Sequence, residues 1–287
     1  MGNCLCCKDD PVVTPLVDPC IVKMALKMPH GTKGIYYDNT QQKRTGCDIN
    51  EWIQSLYHHA TWTGWIVYND DAADEKVCGS NAHAKGILAW NDTHVSWLVH
   101  SVPNFPRSFT GSTISPIESS EYVYGQSFIY VERPADKAFL TTVITQLYHM
   151  DAHITMKQNE PHVPIRSSDL IRTVVFSDTV THISKSPSHH IDIYGDHLTM
   201  YSNEWRIQTW KRGHPITTES TIKDIMYMCV DGIPYKGSQD HSKWGVCPEY
   251  VWVGDLNRMQ SQAKRGGGGF LVKHKGMVDE LTRIILS

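Results

Sequence analysis

No stretch of this 287-residue sequence approaches the ~18–20 consecutive apolar residues that a bilayer-spanning helix requires, so no such span is expected. Positive charge is also scarce. Twenty-seven Lys and Arg stand against 30 Asp and Glu, a formal net charge of −3 at pH 7, which argues against a constitutively basic nucleic-acid binder. Beyond the first seven residues the cysteines (Cys20, Cys47, Cys78, Cys229, Cys247) contain no Cys-x-x-Cys pair and no Cys/His spacing typical of zinc. No short repeat runs through the chain, which excludes a solenoid. What is abundant is aromatic and imidazole side chain. Nine Trp and thirteen Tyr, with 40% hydrophobic and 20% charged residues, describe a chain able to bury a core, as one large domain or two halves. Protonating all 16 His would carry the net charge from −3 to +13, so the surface can change sign between neutral and mildly acidic water.

Met1-Gly2-Asn3-Cys4-Leu5-Cys6-Cys7 has neither the basic start nor the apolar run of a secretory signal. Gly2 stands where N-myristoylation occurs, and Cys4, Cys6 and Cys7 are placed for palmitoylation, although Cys6 departs from the usual Ser or Thr. Two acyl chains anchor a protein stably where one does not, so membrane attachment through this end is an expectation. Residues 1–17 are expected to form a flexible tail, followed by an N-terminal half over 18–155 and a C-terminal half over 156–287.

Short β-rich runs then alternate with amphipathic stretches, the pattern of an α/β protein. Ile21–Met28, Gly34–Asp38 and Gly64–Asn69 are predicted strands, and Ala84–Trp90 and His94–Val102 a pair joined at Asn91-Asp92. Ile49–His58 and Lys137–His149 carry apolar residues at helical spacing, and Val278–Leu286 suits a closing helix. Ser167–Val175, Ile191–Tyr194 and Glu204–Trp210 are predicted elements of the second half, and the run Gly266–Gly269 is predicted to be a loop.

One long, weak repeat carries chemistry. His83-Ala84-Lys85 is followed by Trp97-Leu98-Val99-His100, and His241-Ser242-Lys243 by Trp252-Val253-Gly254-Asp255. On an extended strand residues i and i+2 share a face, so each His-x-Lys projects an imidazole and an ammonium together. If the two meet in one cleft, four groups that can all be positive repel one another unless an anion sits among them. A phosphodiester is such an anion. The lysines would hold its non-bridging oxygens without a metal, one imidazole would attack phosphorus, and the other would protonate the leaving oxygen.

The blocks Gly64-Trp65-Ile66-Val67-Tyr68-Asn69-Asp70, His83-Ala84-Lys85-Gly86, Trp97-Leu98-Val99-His100-Ser101-Val102-Pro103-Asn104-Phe105-Pro106, Tyr124-Gly125-Gln126, Asp240-His241-Ser242-Lys243-Trp244 and Gly254-Asp255-Leu256-Asn257-Arg258, then Arg265-Gly266-Gly267-Gly268, resemble the deoxyribonuclease II family in content and order. The resemblance runs from about Pro19 to the carboxyl end. It implies an α/β, phospholipase-D-like fold of two pseudo-twofold-related halves, each a central sheet flanked by helices, sharing one active site. It implies an acid-favouring endonuclease without metal or other cofactor, acting on DNA to leave 3′-phosphate and 5′-hydroxyl ends through a phosphohistidine.

By the same resemblance His83 is the nucleophile and His241 the general acid, a symmetric site leaving the reverse assignment open. Lys85 and Lys243 would clamp the phosphate, His100 and Asp255 orient the imidazoles, and Asn257 donate to a phosphate oxygen. Arg258, Arg265, Gly266 and Gly267 are candidates for DNA contact. The family's secretory signal is not matched here, and Gly269-Phe270-Leu271-Val272 lacks the cysteine expected after the glycine run. A silent nucleic-acid-binding homologue, and a phosphodiesterase acting on RNA or phospholipid, are the competing readings.

Overall fold

The computed structural model describes residues 20–39, 43–58, 61–72, 81–163, 168–211, 213–216 and 221–286. The acylation expected at Gly2, Cys4, Cys6 and Cys7, and the flexible tail over 1–17, lie outside the described residues. Among them no helix is long and apolar enough to cross a membrane.

Eight strands come from the first part of the chain: β1 (Ile21–Lys27), β2 (Lys33–Asp38), β3 (Lys43–Asp48), β4 (Gly64–Asn69), β5 (Lys85–Trp90), β6 (His94–His100), β7 (Gln126–Pro134) and β8 (Ile154–Gln158). They form one sheet, ordered β3-β2-β1-β7-β6-β5-β4-β8, with every neighbouring pair antiparallel. The expected division at residue 155 falls inside β8, whose pairing with β4 keeps the chain to Gln158 in this sheet.

The remaining strands are β9 (Ile171–Ser177), β10 (Val180–Lys185), β11 (Arg206–Gln208), β12 (Lys223–Asp224), β13 (Tyr227–Val230), β14 (Ile233–Lys236), β15 (Trp244–Val246), β16 (Val251–Gly254), β17 (Gly267–Val272) and β18 (Ile285–Leu286). Seven of them make a second sheet, β12-β11-β15-β16-β17-β10-β9, and β14-β13-β18 a small third one. The helices are α1 (Ile49–Tyr57), α2 (Lys137–Met150), the one-turn α3 (Gln260–Ala263) and α4 (Lys275–Ile284).

The two-residue period of the strands sorts their side chains into layers. From the first sheet, Ile66, Tyr68, Leu88, Trp97, Val99, Ile129 and Val131 share a core with Val174, Phe176, Trp244, Val253 and Phe270 of the second. The sheets therefore pack against each other, with Trp97 stacked on His182 at 4.1 Å. The alternate residues of the first sheet (Val67, Ile87, Leu98, Phe128, Tyr130) face α1, whose Ile49, Trp52, Ile53, Leu56 and Tyr57 form its buried side. Asp48 caps α1 by accepting the Asn50 N–H at 2.9 Å. Asp136 caps α2, accepting from Phe139 at 2.8 Å.

Three expectations change. The closing helix expected over Val278–Leu286 is α4, which starts at Lys275 and stops at Ile284, because Ile285–Leu286 pairs with β13 as β18. The outer face of the second sheet is covered by Ile193, Tyr194, Leu198 and Trp205, which lie in and just after a π turn and a 3-10 turn, instead of by a long helix. The glycine run is no loop: Gly267, Gly268 and Gly269 are strand residues of β17, paired with Lys185, Ser184 and Ile183 of β10. Flexibility argued for a loop; close packing requires a strand without side chains, since a Cβ on Gly268 would lie 2.5 Å from the Ile183 carbonyl oxygen.

Candidate active site

Both His-x-Lys motifs lead into inner strands, Lys85 as the first residue of β5 and Lys243 as the last before β15. Lys85 stands opposite Asn69, the last residue of β4. His83 therefore precedes the strand, as His241 precedes β15. The chain leaves β4 at Asp70, 2% exposed. Its Oδ2 accepts from His83 Nδ1 at 2.9 Å and from Arg265 at 2.7 Å, and its Oδ1 accepts from the Lys85 ammonium.

His241 has a different neighbourhood. Its ring is stacked on Tyr124 (centroids 3.9 Å, planes 14° apart) and lies 4.0 Å from Trp210 on a tilt of 46°. Trp210 follows β11 as Asp70 follows β4. Gln208 of β11 stands opposite Trp244 of β15, so continuing the register sets Trp210 diagonal to Lys243, as Asp70 is to Lys85. One imidazole thus has a carboxylate where the other has an indole.

The backbone ties the two places together. The His83 N–H donates to the Gly266 carbonyl at 3.0 Å, just before β17 of the second sheet, and the His241 N–H to the Gly125 carbonyl at 2.9 Å, just before β7 of the first. The Lys243 N–H donates to Ser127 Oγ of β7 at 3.0 Å. Asn257 Nδ2 reaches His83 Nε2 at 3.4 Å. The charge of Lys243 bears on His83, on His100 and on Lys85, so the two motifs share one electrostatic site.

Burial and the Lys85 ammonium push the His83 imidazole down to about 3, the Asp70 carboxylate only partly offsetting them. Burial opposes ionisation of Asp70, but Lys85, His83 and Arg265 outweigh it and hold the carboxyl well below its usual range. Since an ionised carboxylate only accepts, Nδ1 of a neutral His83 carries the proton and Nε2 keeps its lone pair. Lys243 is brought down to about 7 by burial and by Lys85. Asp255 is pushed up to about 8 by burial, although it accepts the Gly268 N–H at 3.2 Å.

The other expected residues divide. Burial, with Lys85 and Lys243, holds His100 well below its usual value, and its Nδ1 accepts the Val102 N–H at 3.3 Å. His100 and Asp255 hold to the strand ends beneath the lysines without touching either imidazole through a side-chain hydrogen bond among those described. Arg258 is 4% exposed and donates to Asp192 at 2.9 Å. Arg265 is committed to Asp70 and to the Asn81 and Ala82 carbonyls. Gly266 presents its carbonyl to His83, and Gly267 is inside β17. These four have internal partners or strand positions that build the site's frame.

Asp70, Tyr124 and Trp210 were not assigned. Asp70 had one available signal, its place directly after a largely apolar strand. The aromatic pair had none, because Tyr124 and Trp210 meet His241 only through the tertiary fold. Among the described residues no group of three or more His, Cys, Asp or Glu is arranged to hold a metal ion.

Comparison with known proteins agrees with the geometry. The family model described as Deoxyribonuclease II matches residues 24–287. Cell-death-related nuclease 7 of Caenorhabditis elegans is 28% identical, over 86% of this chain and 77% of that protein. Deoxyribonuclease-2-alpha of Sus scrofa is 25% identical, over 74% of this chain and 66% of its own. Deoxyribonuclease-2-beta of Rattus norvegicus is also 25% identical, with 81% and 74% covered.

Proposed function

This chain belongs to the deoxyribonuclease II family, a family of nucleases that hydrolyse phosphodiester bonds, and from that premise we propose that it is a metal-independent, acid-favouring endodeoxyribonuclease working through a phosphohistidine. The two parts of the chain that carry the sheets would be halves related by a pseudo-twofold axis, with the shared site between them. The observation that carries the reading is the unequal support of the two imidazoles. His83 is held neutral, with Nδ1–H on Asp70 and the Nε2 lone pair facing Asn257 Nδ2 at 3.4 Å, a long contact that a phosphate would displace. His241 instead lies against the rings of Tyr124 and Trp210. This asymmetry favours His83 as nucleophile and His241 as acid.

In the first step Nε2 of His83 attacks phosphorus, the P–O5′ bond breaks, and the 5′-oxygen takes its proton from His241. Asp70 stabilises the positive charge that develops on the His83 ring. Lys85 and Lys243 hold the non-bridging oxygens as the trigonal-bipyramidal charge builds. In the second step the now neutral His241 takes a proton from water, whose oxygen attacks phosphorus. The P–N bond breaks, leaving a 3′-phosphate and restoring both histidines. The strand would pass the crevice of about 190 Å³ beside Trp210, lined in part by Thr209, Lys211, Tyr227 and Lys236.

The test is nicking of supercoiled plasmid near pH 5 with EDTA present, with end-group analysis of the product. Cleavage to 3′-phosphate ends is expected, and loss of several orders of magnitude in turnover in both His83→Ala and His241→Ala. Cleavage that returns only when magnesium replaces the chelator would defeat the metal-free mechanism, and full activity in either variant would remove that histidine from it.

A further inference from the structure

Two lysines outside the catalytic motifs, Lys27 and Lys185, are 0% exposed. A buried ammonium is strongly disfavoured unless each of its three protons finds an acceptor. Both do, and all six acceptors are backbone carbonyls. Lys27 donates to Met28, Gly31 and Tyr122 at 3.0, 2.9 and 3.1 Å. Lys185 donates to His189 at 2.8 Å, to Ala263 at 2.9 Å and to Arg265.

Their places correspond. Lys27 ends β1 and stands opposite Gln126, the first residue of β7; Lys185 ends β10 and stands opposite Gly267, the first residue of β17. Each therefore grips the segment that enters the next strand, and each such segment serves one imidazole. Two residues after the Tyr122 carbonyl comes Tyr124, whose ring covers His241, and then Gly125, whose carbonyl accepts the His241 N–H. The residue whose carbonyl Lys185 holds is Arg265, which grips Asp70; next comes Gly266, whose carbonyl accepts the His83 N–H.

We propose that Lys27 and Lys185 are positioning residues for the reaction, Lys27 fixing the general acid His241 and Lys185 fixing the nucleophile His83 with its Asp70 partner. This rests on the assignment of roles above. Neither lysine touches substrate. Each acts as a fixed internal cation that ties together carbonyls from separate segments, two of which, Tyr122 and His189, also accept a backbone N–H. Asp240 and Glu121 are the charged groups facing Lys27. Burial brings both lysines down to about 8, so each is still a cation in mildly acidic water.

The experiment compares Lys27→Met and Lys185→Met on two substrates: plasmid DNA, and a nucleoside 3′-(p-nitrophenyl phosphate) diester, whose leaving group departs without a proton. His241→Ala and His83→Ala are run first as references. On the p-nitrophenyl ester the readout is the first-turnover burst of p-nitrophenolate, because the later water step also uses His241: there His241→Ala should regain most of its activity and His83→Ala should not; if both behave alike on both substrates, the assignment of acid and nucleophile fails before the lysines are considered. Given the reference pattern, Lys27→Met should lose on the order of 100-fold in kcat on DNA, the cost of misplacing a catalytic group by about an ångström, and far less on the ester. Lys185→Met should lose a similar factor on both. KM should change little. Should either Met variant fail to fold, Lys27→Gln or Lys185→Gln, which retains N–H donors without the charge, takes its place. Folded variants with wild-type kcat, or with equal losses on both substrates for Lys27, overturn the proposal and leave the lysines a purely structural part.

Discussion

Asp70 receives three cationic or potentially cationic partners, Lys85, His83 and Arg265, while Lys243 has no carboxylate in hydrogen-bond contact among those described. That difference sets which group titrates where activity is measured. Lys243, at about 7, is a cation below neutrality and neutral above it, so the hold on a phosphate oxygen proposed for it would be lost as pH rises. His83, at about 3, loses its lone pair only in stronger acid. Plateau activity is therefore expected between these limits, with kcat/KM falling as pH rises through about 7 and again as it falls toward about 3. A bound phosphodiester favours the charged amine, so the alkaline limb of kcat should lie at higher pH than that of kcat/KM. Lys243→Arg keeps its charge throughout this range and should move the alkaline limb upward even if turnover drops. An unmoved limb in that variant would assign it to another group.

At the scale of elements, the sequence was most readable where one rule acts alone. Gly64–Asn69 is β4 to the residue, and the helices expected at Ile49–His58 and Lys137–His149 end within one residue of α1 and α2, because periodicity and an N-capping Asp agree in each. Both His-x-Lys motifs were legible for the same reason, each being local. Asp70, Tyr124, Trp210 and the two buried lysines were not, since their roles exist only once strands from distant parts of the chain are adjacent. The glycine run was misread where two rules conflict. Conformational freedom points to a loop, whereas a backbone approached too closely for any side chain also demands glycine. The two reasons separate by substitution. In Gly268→Ala the new Cβ meets the Ile183 carbonyl oxygen at 2.5 Å inside the sheet, a loss of about 1–3 kcal/mol in stability. In Gly266→Ala it would meet the Met150 carbonyl oxygen at 1.8 Å, and the segment that must shift is the one that accepts the His83 N–H. Denaturation and turnover measured together should show Gly266→Ala losing far more activity than Gly268→Ala for a similar loss of stability. Equal activity in the folded fractions would mean that the Gly266 carbonyl does not position the nucleophile.

For the whole molecule, acid acts on charge and on stability in opposite directions. The sixteen histidines would take the net charge from −3 to +13 if all were protonated, but burial lowers His83, His100, His149, His182 and His197, so the chain charges less steeply in acid than that sum implies. A chain that becomes cationic in acid still gains attraction for a polyanion. The same buried histidines weaken the fold there. His182 is fully enclosed, with Trp97 stacked on its ring and Gln146 Nε2 donating to Nδ1 at 3.2 Å, and burial brings it down to about 3. Its folded value lies below the unfolded one, so below about pH 6.5 the unfolded chain binds the extra proton. Stability from this group is complete above about 6.5 and declines as pH falls toward about 3, by about 2 kcal/mol at pH 5. His182→Leu removes that proton while keeping an apolar contact for Trp97. Urea unfolding of both proteins at pH 7 and pH 5 should show the wild type losing more stability over the interval, by roughly that amount, with plasmid nicking per folded molecule little changed in the variant. Parallel losses would show that His182 is already protonated inside the folded core, and would place the cost of working in acid at other buried histidines such as His100, His149 and His197.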